Sequence, residues 1–173
     1  MKAIDLYAGV GGWALGLELA GIEVVRSYEW WGAAAETHRN NLRGDVFQVD
    51  IRTMDFELLP EPGEVEIVVG SPPCTQFSYS NRGGNGDIAD GLKDMYRFLE
   101  IVAYLKPKFW AFENVPRVKK VIDHELRDGG VLSEFSELFQ DASVEVLDMS
   151  EFGVPQRRKR CVAGNLDVQL LKQ

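Results

Sequence analysis

The chain has 173 residues, 45% of them hydrophobic, the length and apolar content of one ordinary domain with a single core. Its 19 Lys and Arg face 27 Asp and Glu for a net charge of −8, and the imbalance sits in residues 1–70, where five basic side chains meet twelve acidic ones. That field excludes the holding of a polyanion by general electrostatics, so a nucleic-acid partner must meet a local basic patch or a second, basic subunit.

Short apolar runs of strand length alternate with longer segments of helical period, which predicts an α/β fold built on a largely parallel sheet. In chain order the expected elements are strand 3–8, helix 12–20, strand 24–29, helix 32–41, strand 46–51, strand 65–70, helix 92–105, strand 109–113, helix 118–124, a weaker helix 132–140, strand 143–149 and strand 160–164. The last two strands are joined by about ten residues without helical period, which predicts an antiparallel ending. The stretch 78–91 carries Gly83, Gly84, Gly86 and Gly91 among polar residues and reads as a functional lid. Charged residues interrupt every apolar run well short of the about 18 residues of a membrane span, and the N-terminus does not read as a signal peptide. A soluble, cytoplasmic protein of one domain over residues 1–173 is expected.

The first strand runs into Gly9-Val10-Gly11-Gly12 and a helix, leaving helix N-terminal amides at the strand's carboxyl end, where a carboxylate or phosphate would bind. Such a turn alone serves tight helix-on-strand packing just as well. Asp5 before the glycines, Glu29 closing the second strand and Asp50 closing the third put three acids on one rim. A carboxylate after the second strand suits ribose hydroxyls and favours an adenosyl ligand over a phosphorylated dinucleotide. Trp30 is placed to stack on adenine.

Two cysteines, Cys74 and Cys161, are too few for a disulfide framework and suit a reducing compartment in which a thiol can do chemistry. Cys74 follows Pro72-Pro73, which halt the fourth strand and fix the backbone, and it precedes the polar glycine stretch; it is read as a reactive thiol and not a core residue. Cys161, between Arg160 and Val162-Ala163 in a strand, is read as structural. The fifth strand delivers Glu113 after four apolar residues to the same sheet edge as Cys74, so the acid should be part-buried, with a raised pKa suited to holding or donating a proton. A plain helix cap is the alternative for Glu113.

Asp5-Leu6-Tyr7-Ala8-Gly9-Val10-Gly11-Gly12, Pro72-Pro73-Cys74, Glu113-Asn114-Val115 and Gln156-Arg157-Arg158-Lys159-Arg160 follow one another in an order that resembles the cytosine carbon-5 DNA methyltransferases, from the first strand to Gly164. The resemblance implies a seven-stranded, mostly parallel, Rossmann-like sheet with its last strand antiparallel, and S-adenosylmethionine as cofactor, with no metal. By it Asp5, Tyr7, Gly9, Gly11, Glu29, Trp30, Asp50, Ile51 and Pro73 would contact that cofactor. Cys74 would be the nucleophile, Glu113 would bind the amidine edge of the target base, and Arg158 with Arg160 would position the base. Ser78, Arg82, Gln156 and Arg157 would face a cytosine-containing DNA, together with Arg117, Lys119 and Lys120, and the target base would be flipped out beneath the loop 81–91.

The chain departs from the family in having Thr75 directly after the cysteine, with Gln76 next, where Gln is usual. It also ends nine residues after Gly164, without the target-recognition domain and closing helix that the family carries. Three readings compete: an enzyme of low sequence specificity, of the kind found in restriction and modification; a split enzyme whose partner subunit supplies recognition; and a non-catalytic cofactor-binding or regulatory remnant. Within the enzyme readings, RNA and free nucleotides compete with DNA as substrate.

Overall fold

The computed structural model describes residues 1–74, 77 and 87–166. The elements are β1 (Lys2–Leu6), α1 (Gly12–Leu19), β2 (Glu23–Glu29), α2 (Gly32–Asn41), β3 (Asp45–Gln48), β4 (Ile67–Gly70), α3 (Ile88–Leu105), β5 (Phe109–Asn114), α4 (Val118–Glu125), β6 (Ser143–Asp148) and β7 (Lys159–Gly164), with 3-10 turns at Phe56–Leu58, Ser133–Phe139 and Met149–Phe152. The seven strands have the order β3-β2-β1-β4-β5-β7-β6. Among the described residues no helix is long and apolar enough to cross a membrane.

The chain divides into two compact units, residues 1–72 with 97–110, and residues 73–96 with 111–173. In the first, β1 pairs in parallel with β2 on one side and β4 on the other, and β2 pairs in parallel with β3. A strand flanked on both sides by other strands is mostly apolar, and Ala3, Ile4 and Leu6 of β1 have no exposed surface, with Asp5 the buried polar exception. One face of this sheet packs Ala3, Val24, Ile67 and Val69 against Ala14 of α1, with Trp13, Leu17, Ile22, Leu42 and Phe109 around them. Burying each larger side chain contributes about 1.5–3 kcal/mol. Near the other end Tyr28, wholly buried, stacks on Phe47 at 5.3 Å and donates its hydroxyl to the Leu58 carbonyl at 2.8 Å, which draws the Phe56–Leu58 turn back onto β2.

In the second unit β7 lies between β5 and β6 and is antiparallel to both, with Glu113 opposite Val162 and Val146 opposite Cys161. The expected antiparallel ending is therefore present. The core of this unit includes Phe112, Val118, Ile122, Leu132, Cys161 and Ala163, all without exposed surface. Tyr96 meets Phe135 edge-on at 5.0 Å.

Four expectations are corrected. The strand expected at 46–51 ends at Gln48, because the Asp50 carbonyl accepts the amides of Thr53 and Met54 and turns the chain. The weak helix at 132–140 is a 3-10 segment whose bonds close three residues back, as from Phe135 to Leu132 and Gln140 to Glu137. The connection between the last two strands, read as lacking helix, contains the 3-10 turn Met149–Phe152. Residues 88–91, assigned to the flexible stretch, are the first turn of α3, where Asp87 Oδ1 accepts the Asp90 amide at 3.1 Å as an N-cap would. The remainder of that stretch apart from Asp87, with Ser78, Arg82 and the lid expectation, and also Thr75 and Gln76, lies outside the described residues.

Candidate active site

In the first unit the parallel register carries the ends of β1, β2 and β3 to one edge, and of the residues expected to hold an adenosyl ligand, Tyr7, Gly9, Gly11, Glu29, Trp30, Asp50 and Ile51 lie at or just beyond those ends. The chain leaves β1 through Tyr7 at φ 55°, a left-handed conformation that costs a non-glycine residue about 1–2 kcal/mol and concentrates at ligand sites. Glu29 braces the turn that follows: Oε2 accepts the Gly9 amide at 2.8 Å and Oε1 the Trp31 amide at 2.7 Å. Each oxygen keeps a second lone pair for a hydroxyl. Gly11, at φ 95°, starts α1 with no side-chain cap, which leaves first-turn amides for an anionic group. Trp13 Nε1 donates to Ser71 Oγ at 3.1 Å and ties the start of α1 to the end of β4. Trp30 is 68% exposed, Asp50 is exposed and Ile51 is buried.

Asp5 is not on the rim where the sequence put it. It has no exposed surface, and burial, reinforced by the charge of Glu29, pushes its carboxyl well above the usual carboxylate range while the Ala14 amide opposes the shift. The reason is register: position 5 falls inside the strand flanked by Ser27 of β2 and Val69 of β4. His38 is a residue that sequence reasoning missed. It is wholly buried on α2, its ring nitrogens have no hydrogen-bond partner among the described residues, and its ring lies 3.0 Å from where a Cβ on Gly11 would stand, behind the nearer Leu42 side chain. Burial lowers its pKa, which favours the neutral ring. The helical spacing of Ala34, Ala35 and His38 was the available signal.

In the second unit Pro73 is exposed and Cys74 is partly exposed, its carbonyl accepting the amide of buried Phe77 at 3.0 Å. Glu113, on β5, is half-buried and its Oε1 lies 2.5 Å from Arg160 Nε on β7. Burial pushes the Glu113 carboxyl up, and the charges of Arg160 and Arg158 hold it back only in part. Cys161 is wholly buried, with its thiol pushed up to about 12 by that burial, which suits a structural residue.

The basic groups divide. Lys119 donates to the Val144 carbonyl and lies 4.0 Å from Glu145, so it braces β6 from a partly exposed position. Arg160 is held by Glu113, whereas Gln156, Arg157, Arg158 and Lys159 are exposed. Their loop is shaped by Asp148, which the sequence reading also missed: its Oδ1 accepts the amides of Ser150 and Arg158, both at 3.2 Å, and the Ser150 hydroxyl at 2.9 Å. The Asp-Met-Ser spacing of an Asx turn was its signal.

Comparison with known proteins adds relatives to this geometry. Residues 1–169 match the family described as C-5 cytosine-specific DNA methylase. The chain is 36% identical over 163 residues to the type II methyltransferase M.HindV of Haemophilus influenzae, covering 92% of this chain and 51% of that protein. It is 34% identical over 161 residues to the type II methyltransferase M.HgiDI of Herpetosiphon aurantiacus, covering 92% and 50%. A solved structure described as a DNA modification methyltransferase encoded within an E. coli prophage superposes with a TM-score of 0.73 at 26% identity, over 99% of this chain and 48% of that one. The chain thus spans about half the length of these relatives.

Proposed function

The chain belongs to the C-5 cytosine-specific DNA methylase family, and from that membership we propose that it transfers a methyl group from S-adenosylmethionine to carbon 5 of cytosine in DNA. The observation that carries the reading is the retention of Cys74, Glu113, Arg158 and Arg160 in one unit, with the Glu113 carboxylate 2.5 Å from Arg160.

The first unit offers a donor set that fits the cofactor. An exposed indole at Trp30 suits a purine face, the exposed Asp50 carboxylate suits an amine, the spare lone pairs of Glu29 suit ribose hydroxyls, and the uncapped start of α1 suits an amino-acid carboxylate. Asp5 acts beneath this surface, and the Gly9 and Gly11 conformations shape it. When bound, S-adenosylmethionine supplies an electrophilic methyl group on a sulfonium.

Carbon 5 of cytosine is a poor nucleophile, and the residues of the second unit change that. The Cys74 thiolate forms a bond to carbon 6, and the electrons of the 5,6 double bond move onto carbon 5 as the ring nitrogen N3 takes a proton from Glu113. Burial raises the Glu113 pKa, which favours its taking up a proton to donate, and Arg160 stabilises the carboxylate left behind. After carbon 5 is methylated, loss of its proton to a base, departure of the thiolate from carbon 6 and return of the N3 proton to the Glu113 carboxylate restore the neutral aromatic ring and the starting acid. Carbon 6 is out of reach within a stacked duplex, so the base must be flipped out.

The test is transfer of tritiated methyl groups to duplex DNA, single-stranded DNA, RNA and free deoxycytidine nucleotides. Duplex DNA should be the best acceptor. Cys74→Ser should lower transfer by at least about 10³-fold while leaving cofactor binding intact, and DNA bearing 5-fluorocytosine should trap a covalent adduct because fluorine cannot leave as a proton. Transfer by Cys74→Ser at the wild-type rate would overturn the covalent mechanism, and a preference for RNA or nucleotides would overturn the DNA substrate.

A further inference from the structure

Beyond Gln48 the chain enters a tight turn at residues 50–54, and α3 reaches that turn with one side chain. Arg97 Nε donates to the Ile51 carbonyl at 2.9 Å and Nη2 to the Met54 carbonyl at 2.5 Å. Its Nη1 meets Glu100 Oε2 at 2.6 Å, and its guanidinium lies 4.3 Å from the centroid of the Phe56 ring. The side chain is only 16% exposed. A planar fork held at every edge cannot swing, so it fixes whatever it holds.

What it holds includes one peptide group tied at both ends. The peptide linking Ile51 to Arg52 has its carbonyl on Arg97 Nε and its N–H on Asp50 Oδ1, at 2.9 and 3.0 Å. Rotating this peptide would break both bonds. Asp50 is exposed, and among the described residues its Oδ2 accepts no hydrogen bond. The carboxylate is therefore oriented by one oxygen and open at the other.

We infer that Arg97 is a positioning residue for the cofactor, which fixes the Ile51–Arg52 peptide so that Asp50 stands preset to accept the exocyclic amine of a purine. The inference rests on the reading of Asp50 as a cofactor contact. It assigns to a helix residue 46 positions from Ile51 the discrimination of adenine, which carries an amine, from hypoxanthine, which carries a carbonyl oxygen in its place. Preorientation matters because an acceptor that must first be ordered loses part of the bond's value.

The experiment is calorimetric titration of the chain with S-adenosylhomocysteine and S-inosylhomocysteine. Wild type should prefer the adenosyl compound by about tenfold, the worth of one hydrogen bond to a charged group. Arg97→Met, which keeps the aliphatic stem, should bring that ratio close to one, and Arg97→Lys should restore part of it. Circular dichroism melts test whether each variant is folded, and Arg97→Lys carries the test if Arg97→Met does not fold. Should the variants weaken both ligands at an unchanged ratio, Arg97 is only a scaffold residue and the inference is overturned. Wild type that binds both ligands equally overturns it too. Wild type that binds neither ligand overturns the cofactor reading of the first unit, and the inference with it.

Discussion

Asp5 places a carboxyl in the middle of β1 with no exposed surface and neither oxygen in a well-formed hydrogen bond. Its folded pKa lies well above the unfolded value, so the folded state binds that proton more tightly than the unfolded chain does. The sign follows from linkage: the folded state is favoured at low pH, and stability is lost as pH climbs from the unfolded pKa of about 3.9 through the raised folded one. Asparagine does not titrate. Asp5→Asn should therefore raise the melting temperature, with a margin over wild type that widens from pH 4 to pH 8 and corresponds to about 1–3 kcal/mol at the upper end. A margin independent of pH would show that the carboxyl is not the source of the cost. The half-burial of Glu113 was legible from the apolar run before it, whereas the depth of Asp5 was not. Local sequence shows an acid in an apolar strand, but only the neighbours on both sides decide how much water reaches it.

The turn from β1 to α1 shows how an element is shaped by what lies beside it. Gly11 has φ 95°, and a Cβ there would come within 2.3 Å of Leu42 Cδ1 and 3.0 Å of the His38 ring. Gly21, at the far end of α1, has φ 76° with nothing within 4 Å. Comparing the two separates backbone strain from crowding. Gly21→Ala should cost about 1–2 kcal/mol from the left-handed backbone alone. Gly11→Ala should cost more and should also weaken S-adenosylhomocysteine binding, because relieving the contact displaces the turn that Glu29 braces. Urea melts with and without ligand measure both effects, and equal losses at the two sites would show that the crowding is harmless. The glycines were read from the sequence as a turn opening a helix, and that is what they make. His38 of α2 and Leu42 just after it, which crowd position 11, are joined to the turn only in three dimensions.

Across the whole molecule a net charge of −8 leaves few groups to hold DNA. Of the basic run at 157–160, Arg160 is occupied by Glu113, and Arg157, Arg158 and Lys159 are exposed. Binding should be weak and salt-sensitive, and Arg157→Ala should lower affinity for different duplex sequences about equally while reducing the slope of log affinity against log salt by about 1. Loss of affinity for one sequence alone would instead make Arg157 a base-reading residue. The alternation of strand and helix, the antiparallel ending, the burial of Cys161 and the order of the motifs were all legible along the chain, because period and turn chemistry belong to residues near one another in sequence. Which arginine grips Glu113, where Asp5 lies, and that Arg97 holds the turn after β3 were decided only by the tertiary structure. Those contacts join residues up to 64 apart across strands and helices, and their strength depends on the water that the surrounding packing excludes.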